Sequence, residues 1–138
     1  MSSAMDWNRK IIDEFRAKGG KVGGNFADAP LLLLHSVGAR TGLERVHPVM
    51  YQDLEGGAVA VFASKAGSPT NPDWFYNLIA HPDVTAEIGA DTRRFRARKA
   101  GAEERAPIWA RQKQQNPGFA EYESKTDREI PVVILEPA

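Results

Sequence analysis

Short strand-like runs at hairpin spacing are the feature that most limits how this chain folds. Apolar or alternating runs occupy residues 31–37, 43–53, 58–64, 84–88, 92–99 and 130–135. Little helical sequence separates most of them, so consecutive strands are expected to pair antiparallel. Because closing a sheet removes its exposed edges, the pattern predicts a mainly β chain with short helices, folded as a small closed or partly closed barrel of five or six strands.

One of these runs, residues 43–53, carries alternating faces. Side chains on a strand alternate with period two, so Arg45, His47 and Tyr51 share one face. Pro48 cannot donate to a strand ladder, and it therefore predicts a sheet edge or a bulge at this point.

An amphipathic helix is predicted over residues 7–18. Trp7, Ile11 and Phe15 recur at a spacing of four and form one apolar stripe, and Asp6 is the expected N-cap. The favoured interpretation is that this stripe packs on the barrel. In the alternative, the basic residues beside the stripe let the helix lie on a membrane surface.

Two further helices are predicted over residues 71–78 and 102–115. Asn71 is the expected cap of the first, with Pro72 as its first helical residue. Pro107 indicates that the second begins later than its composition suggests, because proline is tolerated only near a helix start.

Length and composition exclude several classes of protein. A chain of 138 residues predicts one domain over residues 1–138, and no apolar run approaches the roughly 20 residues that span a bilayer. Eighteen Lys and Arg balance eighteen Asp and Glu, which argues against a nucleic-acid partner. Cysteine is absent, and the N-terminus lacks an export signal, so a cytoplasmic location is expected.

Two clusters have the chemistry of an anion site. In the first, Arg40, Thr41 and Gly42 form a turn that is followed by Arg45. Arginine forks, a hydroxyl and turn N–H groups suit a phosphate or a carboxylate. An ordinary solvated turn is the alternative interpretation.

The second cluster is the long loop of small residues at 63–74. It ends at a helix N-terminus, where unpaired N–H groups favour an anion or a polar ring edge. A simple connector is the alternative. Ser64 and Lys65 are adjacent and point to opposite faces, so a nucleophilic dyad and a hydrolase are disfavoured.

Other polar residues give weaker signals. His35, His47 and His81 lack the spacing of a metal site. Tyr51 and Tyr122 could each offer a flat ligand an apolar face and a hydroxyl.

Four ordered segments resemble one family, the deazaflavin-dependent nitroreductases. They are LLLLHSVGARTGLERVHPVMY, ASKAGSPTNPDWFYNLIAHPDV, ERAPIW and YESKTDREIPVVILEP, at residues 31–51, 63–84, 104–109 and 122–137. The resemblance covers nearly the whole chain from Trp7 onward.

The resemblance implies a split β-barrel related to the oxidases that bind flavin mononucleotide, with coenzyme F-420, an 8-hydroxy-5-deazaflavin, as cofactor. It also implies a set of cofactor-binding residues: Arg40, Thr41, Gly42, Arg45, Val46, His47, Pro48, Ala63, Ser64, Lys65, Ala66, Gly67, Trp74 and Asn77.

The implied reaction is hydride transfer from C5 of the reduced deazaflavin to a small electron-poor acceptor, a quinone, an enone or a nitroaromatic. Tyr51 and Ser64 are the expected hydrogen-bond donors to that acceptor, and Tyr51, Tyr122 or solvent supplies the proton. The segment QNPGFAEYESK holds only Tyr122 where nitroimidazole-activating relatives carry several tyrosines, which favours quinone or enone reduction.

Two alternatives remain open at the level of sequence. One is a non-catalytic protein that binds the deazaflavin or a flavin. The other is the same barrel with flavin mononucleotide or haem in place of the deazaflavin. A homodimer is the expected assembly.

Overall fold

The computed structural model describes residues 3–18, 31–39, 41–64 and 70–138. The strands are β1 Leu31–Val37, β2 Glu44–Asp53, β3 Val59–Phe62, β4 Asp83–Ile88, β5 Asp91–Lys99 and β6 Val132–Pro137. The helices are α1 Ser3–Ala17, α2 Asp73–Ala80, α3 Ala102–Gln115 and α4 Gly118–Ser124, and a 3-10 turn covers Glu55–Gly57.

The six strands close into an antiparallel barrel in the order β1-β2-β3-β6-β5-β4. This confirms the barrel predicted from the hairpin spacing. The closure is uneven around β2. All of β1 pairs with β2 from Glu44 to Met50, whereas β3 pairs only with Tyr51–Asp53. Among the described residues, the stretch 44–50 of β2 therefore has a strand on one side only, and we call its other side the free edge.

Hydrogen-bond parity shows which backbone groups face the free edge. The N–H of Gly38 donates to the carbonyl of Leu43 at 2.8 Å. Bonded and non-bonded pairs alternate along an antiparallel ladder, so Arg45 and His47 turn their backbone groups towards β1. Val46 and Pro48 then turn theirs outwards. The backbone nitrogen of Pro48 points away from β1, so the missing N–H of proline removes no hydrogen bond from the ladder. This agrees with the sheet edge that Pro48 predicted in the sequence.

The barrel interior is filled by one apolar cluster. Leu32 and Leu34 of β1, Val61 of β3 and Phe95 of β5 are essentially inaccessible to solvent within it. Helix α2 closes one end of the barrel by burying its apolar side chains in the same cluster; these are Trp74, Phe75 and Leu78.

A second cluster covers the outside of β3 and β6. Phe62 of β3 lies 6.0 Å from the ring of Trp109 and 5.7 Å from that of Phe119, measured between centroids. These tilted and edge-on contacts hold α3 and α4 on the barrel. They lie outside the barrel wall, opposite the interior cluster.

Helix α1 packs on the outside of β1 through the predicted stripe. Ile11 and Phe15 are buried against Leu31 and Leu33, so the packing interpretation is the one that the structure supports. Arg16 fixes the end of the helix by donating to both carboxylate oxygens of Glu87, at 3.1 and 2.8 Å. In the described part of the chain, no helix is long and apolar enough to cross a bilayer.

The starts of α1 and α2 differ from expectation, whereas the predicted stretch 102–115 is confirmed for α3 and only the later start that Pro107 indicated is wrong. Helix α1 begins at Ser3, so Asp6 lies inside it and is not its N-cap. Helix α2 begins at Asp73 with Pro72 as N-cap and no side-chain cap, because the amide of Asn71 is engaged elsewhere. Helix α3 begins at Ala102 despite Pro107, since burial of its later residues, Trp109 and Gln112, holds it on the barrel.

The last strand is also shifted from its predicted position. The run 130–135 predicted a strand there, whereas β6 covers Val132–Pro137. Ile130 is buried in the second cluster, and its carbonyl accepts hydrogen bonds from Arg105. A side chain therefore engages the carbonyl of Ile130 just before the ladder begins.

Candidate functional site

A groove of about 820 Å³ runs beside the free edge of β2. Its walls come from α1, from the β1–β2 turn with the first half of β2, and from α2. This volume lies in the range typical of pockets for cofactors and drug-sized ligands. A second cavity of about 400 Å³ lies between β1, β4 and β5, and none of the predicted site residues lines it.

The groove brings together five of the residues predicted to bind the cofactor: Thr41, Arg45, Val46, His47 and Asn77. Gly42 lies in the same turn, and Pro48 follows on the same strand edge. Four other predicted residues, Arg40, Lys65, Ala66 and Gly67, lie outside the described residues.

The β1–β2 turn is built around two glycines. Gly42 has a φ of 69°, which favours glycine, and its N–H donates to the carbonyl of Gly38 at 2.9 Å. A Cβ on Gly38 would come within 2.5 Å of the hydroxyl oxygen of Thr41. That oxygen accepts a hydrogen bond from the N–H of Leu43 at 3.2 Å. The turn thus fixes the Thr41 hydroxyl at the groove.

Asn77 connects this turn to α2. Its side-chain carbonyl accepts from the N–H of Ala39 at 2.9 Å, and its NH₂ donates to the hydroxyl of Ser36 at 3.5 Å. Asn77 is itself buried. Asn77 therefore holds the β1–β2 turn against α2, the helix to which it belongs.

His47 faces the barrel opening from β2. It pairs with Leu34 across the ladder, and its Nδ1 is buried without a hydrogen-bond partner among the described residues. Burial lowers the pKa of His47, and the nearby Arg45 lowers it further, while Asp73 opposes the shift. The imidazole is therefore neutral at pH 7.

Several groove residues were not singled out by the sequence. Arg9 and Ile12 reach the groove from α1, and Asp73 and Tyr76 reach it from α2. Ile12 directly follows Ile11 of the apolar stripe, so the sequence indicated a second apolar side chain beside that stripe on α1. No sequence signal indicated that α1 and α2 flank the same strand edge.

The structure holds three predicted residues away from the groove lining. The ring of Tyr51 packs against the interior cluster, and burial raises the pKa of its phenol. Trp74 is buried in the same cluster. Tyr122 packs on Phe119 in the second cluster, at 5.3 Å between ring centroids.

Ala63 and Ser64 lie where the chain leaves β3. Both are buried, and their carbonyls accept hydrogen bonds from Arg128 at 3.1 and 2.9 Å. Arg128 also donates to the side-chain carbonyl of Asn71 at 2.7 Å. Sequence reasoning did not identify Arg128.

Charge and donors give the groove a defined chemistry. Arg9 and Arg45 line it as cations, while Glu44 and Asp73 line it as carboxylates. No group of three or more potential metal ligands occurs in the part of the chain that the structure describes. The free edge adds outward backbone groups, so the groove offers a polar ligand both charged side chains and hydrogen-bonding backbone atoms.

The family model for F420H(2)-dependent quinone reductase matches residues 7–137. An F420H(2)-dependent quinone reductase of Mycobacterium tuberculosis is 35% identical over 127 residues, covering 88% of this chain and 83% of the relative.

Two solved structures agree with this match. One, described as an F420-H2 dependent reductase (FDR-A), has a TM-score of 0.70 at 39% identity and covers 78% of this chain and 94% of that one. The other, described as a domain-swapped dimer, has a TM-score of 0.73 at 36% identity and covers 97% of this chain and all of that one (100%). The resemblance noted in the sequence is thereby confirmed, and the chain belongs to the family of F420H(2)-dependent quinone reductases, oxidoreductases whose cofactor is coenzyme F-420.

Proposed function

We propose that the groove beside β2 binds reduced coenzyme F-420 along the free edge and that a quinone accepts the hydride next to it. The observation that carries this proposal is the free edge itself, which exposes backbone groups between an arginine of α1 and an arginine of β2. The neutral His47 leaves the two arginines as the cations that line the groove in the described residues.

The anionic part of the coenzyme would lie at the β1–β2 turn. Arg45 and the hydroxyl of Thr41 are available there, and an arginine fork binds phosphate or carboxylate oxygens at two points. The family resemblance adds Arg40 to this end, and it assigns Lys65 to the coenzyme site as a further cation. Gly38 and Gly42 keep the turn compact enough for a close approach.

The ring would lie further along the strand, against Val46 and Pro48. The outward N–H and carbonyl of Val46 and the outward carbonyl of Pro48 can meet polar ring edges without disturbing the ladder with β1. Ile12 and the Val46 side chain provide apolar surface at this point and reduce the access of water.

The coenzyme, when bound, supplies a hydride. The protein's part is to orient the two reactants, to exclude water and to stabilise negative charge on the acceptor. The quinone gains the hydride with both electrons, its carbonyl oxygen becomes anionic, and a proton completes the hydroquinone. Ser64, in the segment that follows β3, carries one hydroxyl proposed to face that oxygen.

A side-by-side titration tests the proposal. The apo-protein is titrated with coenzyme F-420 and, separately, with flavin mononucleotide, and ligand fluorescence is followed. Saturable binding of the deazaflavin with little flavin binding is expected, followed by oxidation of the reduced coenzyme when a soluble naphthoquinone is added. A preference for flavin mononucleotide would refute the proposed cofactor, and tight deazaflavin binding without turnover would favour a storage protein.

A proline at position 46 tests the contact with the strand edge. Val46→Pro removes an outward N–H that β1 does not use, and Pro48 shows that this edge accepts proline. We expect the dissociation constant of coenzyme F-420 to rise severalfold, in line with the loss of one hydrogen bond. Val46→Ala keeps the N–H and is the matched control. Equal affinities for the two variants would show that the amide is not used.

The assembly state also belongs to this proposal. One similar structure is described as a domain-swapped dimer, which supports a homodimer for this chain. Light scattering coupled to size-exclusion chromatography measures the mass directly, and a mass of one chain would contradict it.

A further inference from the structure

Tyr76 is the only one of the three tyrosines in the chain that lines the groove. Its side chain is about half exposed, at 51%, and its ring packs edge-on against the buried Phe75 at 5.4 Å between centroids. The contact with Phe75 therefore fixes the position of the Tyr76 ring at the groove. Tyr51 and Tyr122, by contrast, pack against the two apolar clusters.

A chain of hydrogen bonds fixes the neighbouring amide. Arg128 donates from Nη1 to the side-chain oxygen of Asn71 at 2.7 Å. A guanidinium has no acceptor, so the oxygen of Asn71 must face Arg128 and its NH₂ must face away. The same Nη1 also donates to the carbonyl of Ala63, and Nη2 donates to that of Ser64, which holds the guanidinium in place.

The amide in turn fixes the direction of the Tyr76 hydroxyl. The NH₂ of Asn71 donates to the Tyr76 oxygen at 3.3 Å. An amide NH₂ cannot accept, so the phenol proton cannot point at Asn71 and is left to point elsewhere. Tyr76 is one of the residues that line the groove, so a ligand bound there is a candidate acceptor for that proton.

We propose that Tyr76 is a catalytic residue that donates a hydrogen bond to the carbonyl oxygen of the quinone, and that Arg128 and Asn71 are positioning residues for its hydroxyl. This inference rests on the proposed function of the groove. When the quinone takes up a hydride with its two electrons, one carbonyl oxygen becomes an anion. The Tyr76 hydrogen bond strengthens as that charge develops, and water supplies the proton that completes the hydroquinone.

Tyr76→Phe removes the hydroxyl and keeps the ring that packs on Phe75. We expect kcat with a soluble naphthoquinone to fall about tenfold, as for the loss of one hydrogen bond to a developing charge. The dissociation constant of coenzyme F-420 should stay unchanged. Ile79→Ala, an exposed change on the same helix, is the control and should leave both values as in the wild type.

Asn71→Asp tests the positioning step with the phenol still present. A carboxylate at this position accepts from Arg128 and can also accept the phenol proton, which would turn the hydroxyl away from the groove. We expect kcat to fall three- to tenfold, without loss of thermal stability. An unchanged kcat would overturn the positioning roles of Asn71 and Arg128.

A binding measurement separates this inference from the proposed function. The wild type and the Tyr76→Phe variant are titrated with the naphthoquinone in the absence of coenzyme, with tryptophan fluorescence as the signal, and a severalfold weaker binding by the variant is expected. Equal quinone affinity together with equal kcat would overturn the role of Tyr76, as would a loss of turnover in Tyr51→Phe but not in Tyr76→Phe. A wild type that binds quinone but no coenzyme would refute the proposed function instead.

Discussion

Replacing Phe15 by alanine is expected to lower the free energy of unfolding by about 3–5 kcal/mol. Phe15 is 1% exposed and packs with Ile11 against Leu31 and Leu33 on the outside of β1. The lost ring leaves a cavity that α1 and the barrel can fill only in part, so both the transfer free energy and the packing contacts are lost. Urea unfolding followed by circular dichroism measures the change.

Lys10→Ala is the matched control for Phe15→Ala. Lys10 is exposed on the same helix, so its removal should change the free energy of unfolding by no more than about 0.5 kcal/mol. A loss below about 1 kcal/mol for Phe15→Ala would mean that α1 does not pack on the barrel in solution. That result would also remove one wall of the groove, since Arg9 and Ile12 belong to α1.

The barrel could be predicted because local rules and the global fold agree along β1 and β2. Gly38 and Gly42 impose a tight turn, and the alternation after it places His47 and Tyr51 on the inner face. Pro48 predicts a position whose backbone donates no hydrogen bond to a neighbouring strand, and the structure has the free edge of β2 there. Each of these signals acts over a few residues, which is the range over which a sequence can be interpreted directly.

Helix starts could not be predicted to the residue. Asp6 and Asn71 are typical capping residues, yet α1 begins before Asp6, and Asn71 binds Arg128 and Tyr76. Arg128 lies 57 positions further along the chain than Asn71. Tertiary packing decides whether such a side chain caps its own helix or binds a distant residue. The local sequence does not contain that information.

The residues that form the walls of the groove could not be predicted from the sequence either, because tertiary packing brings them together. Arg9 and Tyr76 come from two helices that are far apart in the chain, and both are placed beside β2 by burial of their neighbours Ile11 and Phe75. Tyr51 and Tyr122 satisfied the chemical criterion for an acceptor site just as Tyr76 did. Only the packing of the three rings distinguishes them.

Arg45→Met is expected to weaken binding of coenzyme F-420 about ten- to a hundredfold. Hydrogen bonds to charged groups contribute about 1.5–3 kcal/mol, and each 1.4 kcal/mol changes a dissociation constant about tenfold. Methionine keeps most of the length of the side chain and removes only the charge and the donors. Fluorescence titration at low ionic strength gives the affinity, and the wild-type affinity should itself fall with added salt because the arginine is exposed.

The control for Arg45→Met is Arg111→Met, an exposed change on α3. This helix packs on the outside of β3 and β6, and Arg111 does not line the groove. It alters the net charge equally, so any general electrostatic effect appears in both variants. Affinity lost in both would indicate only long-range attraction, and affinity retained in both would exclude Arg45 as a coenzyme ligand. A loss confined to Arg45→Met, with a weaker salt dependence than that of the wild type, would place the coenzyme's anionic part at the β1–β2 turn. The ring would then have to follow the free edge of β2 towards Val46, because α2 closes the other side of the turn through Asn77.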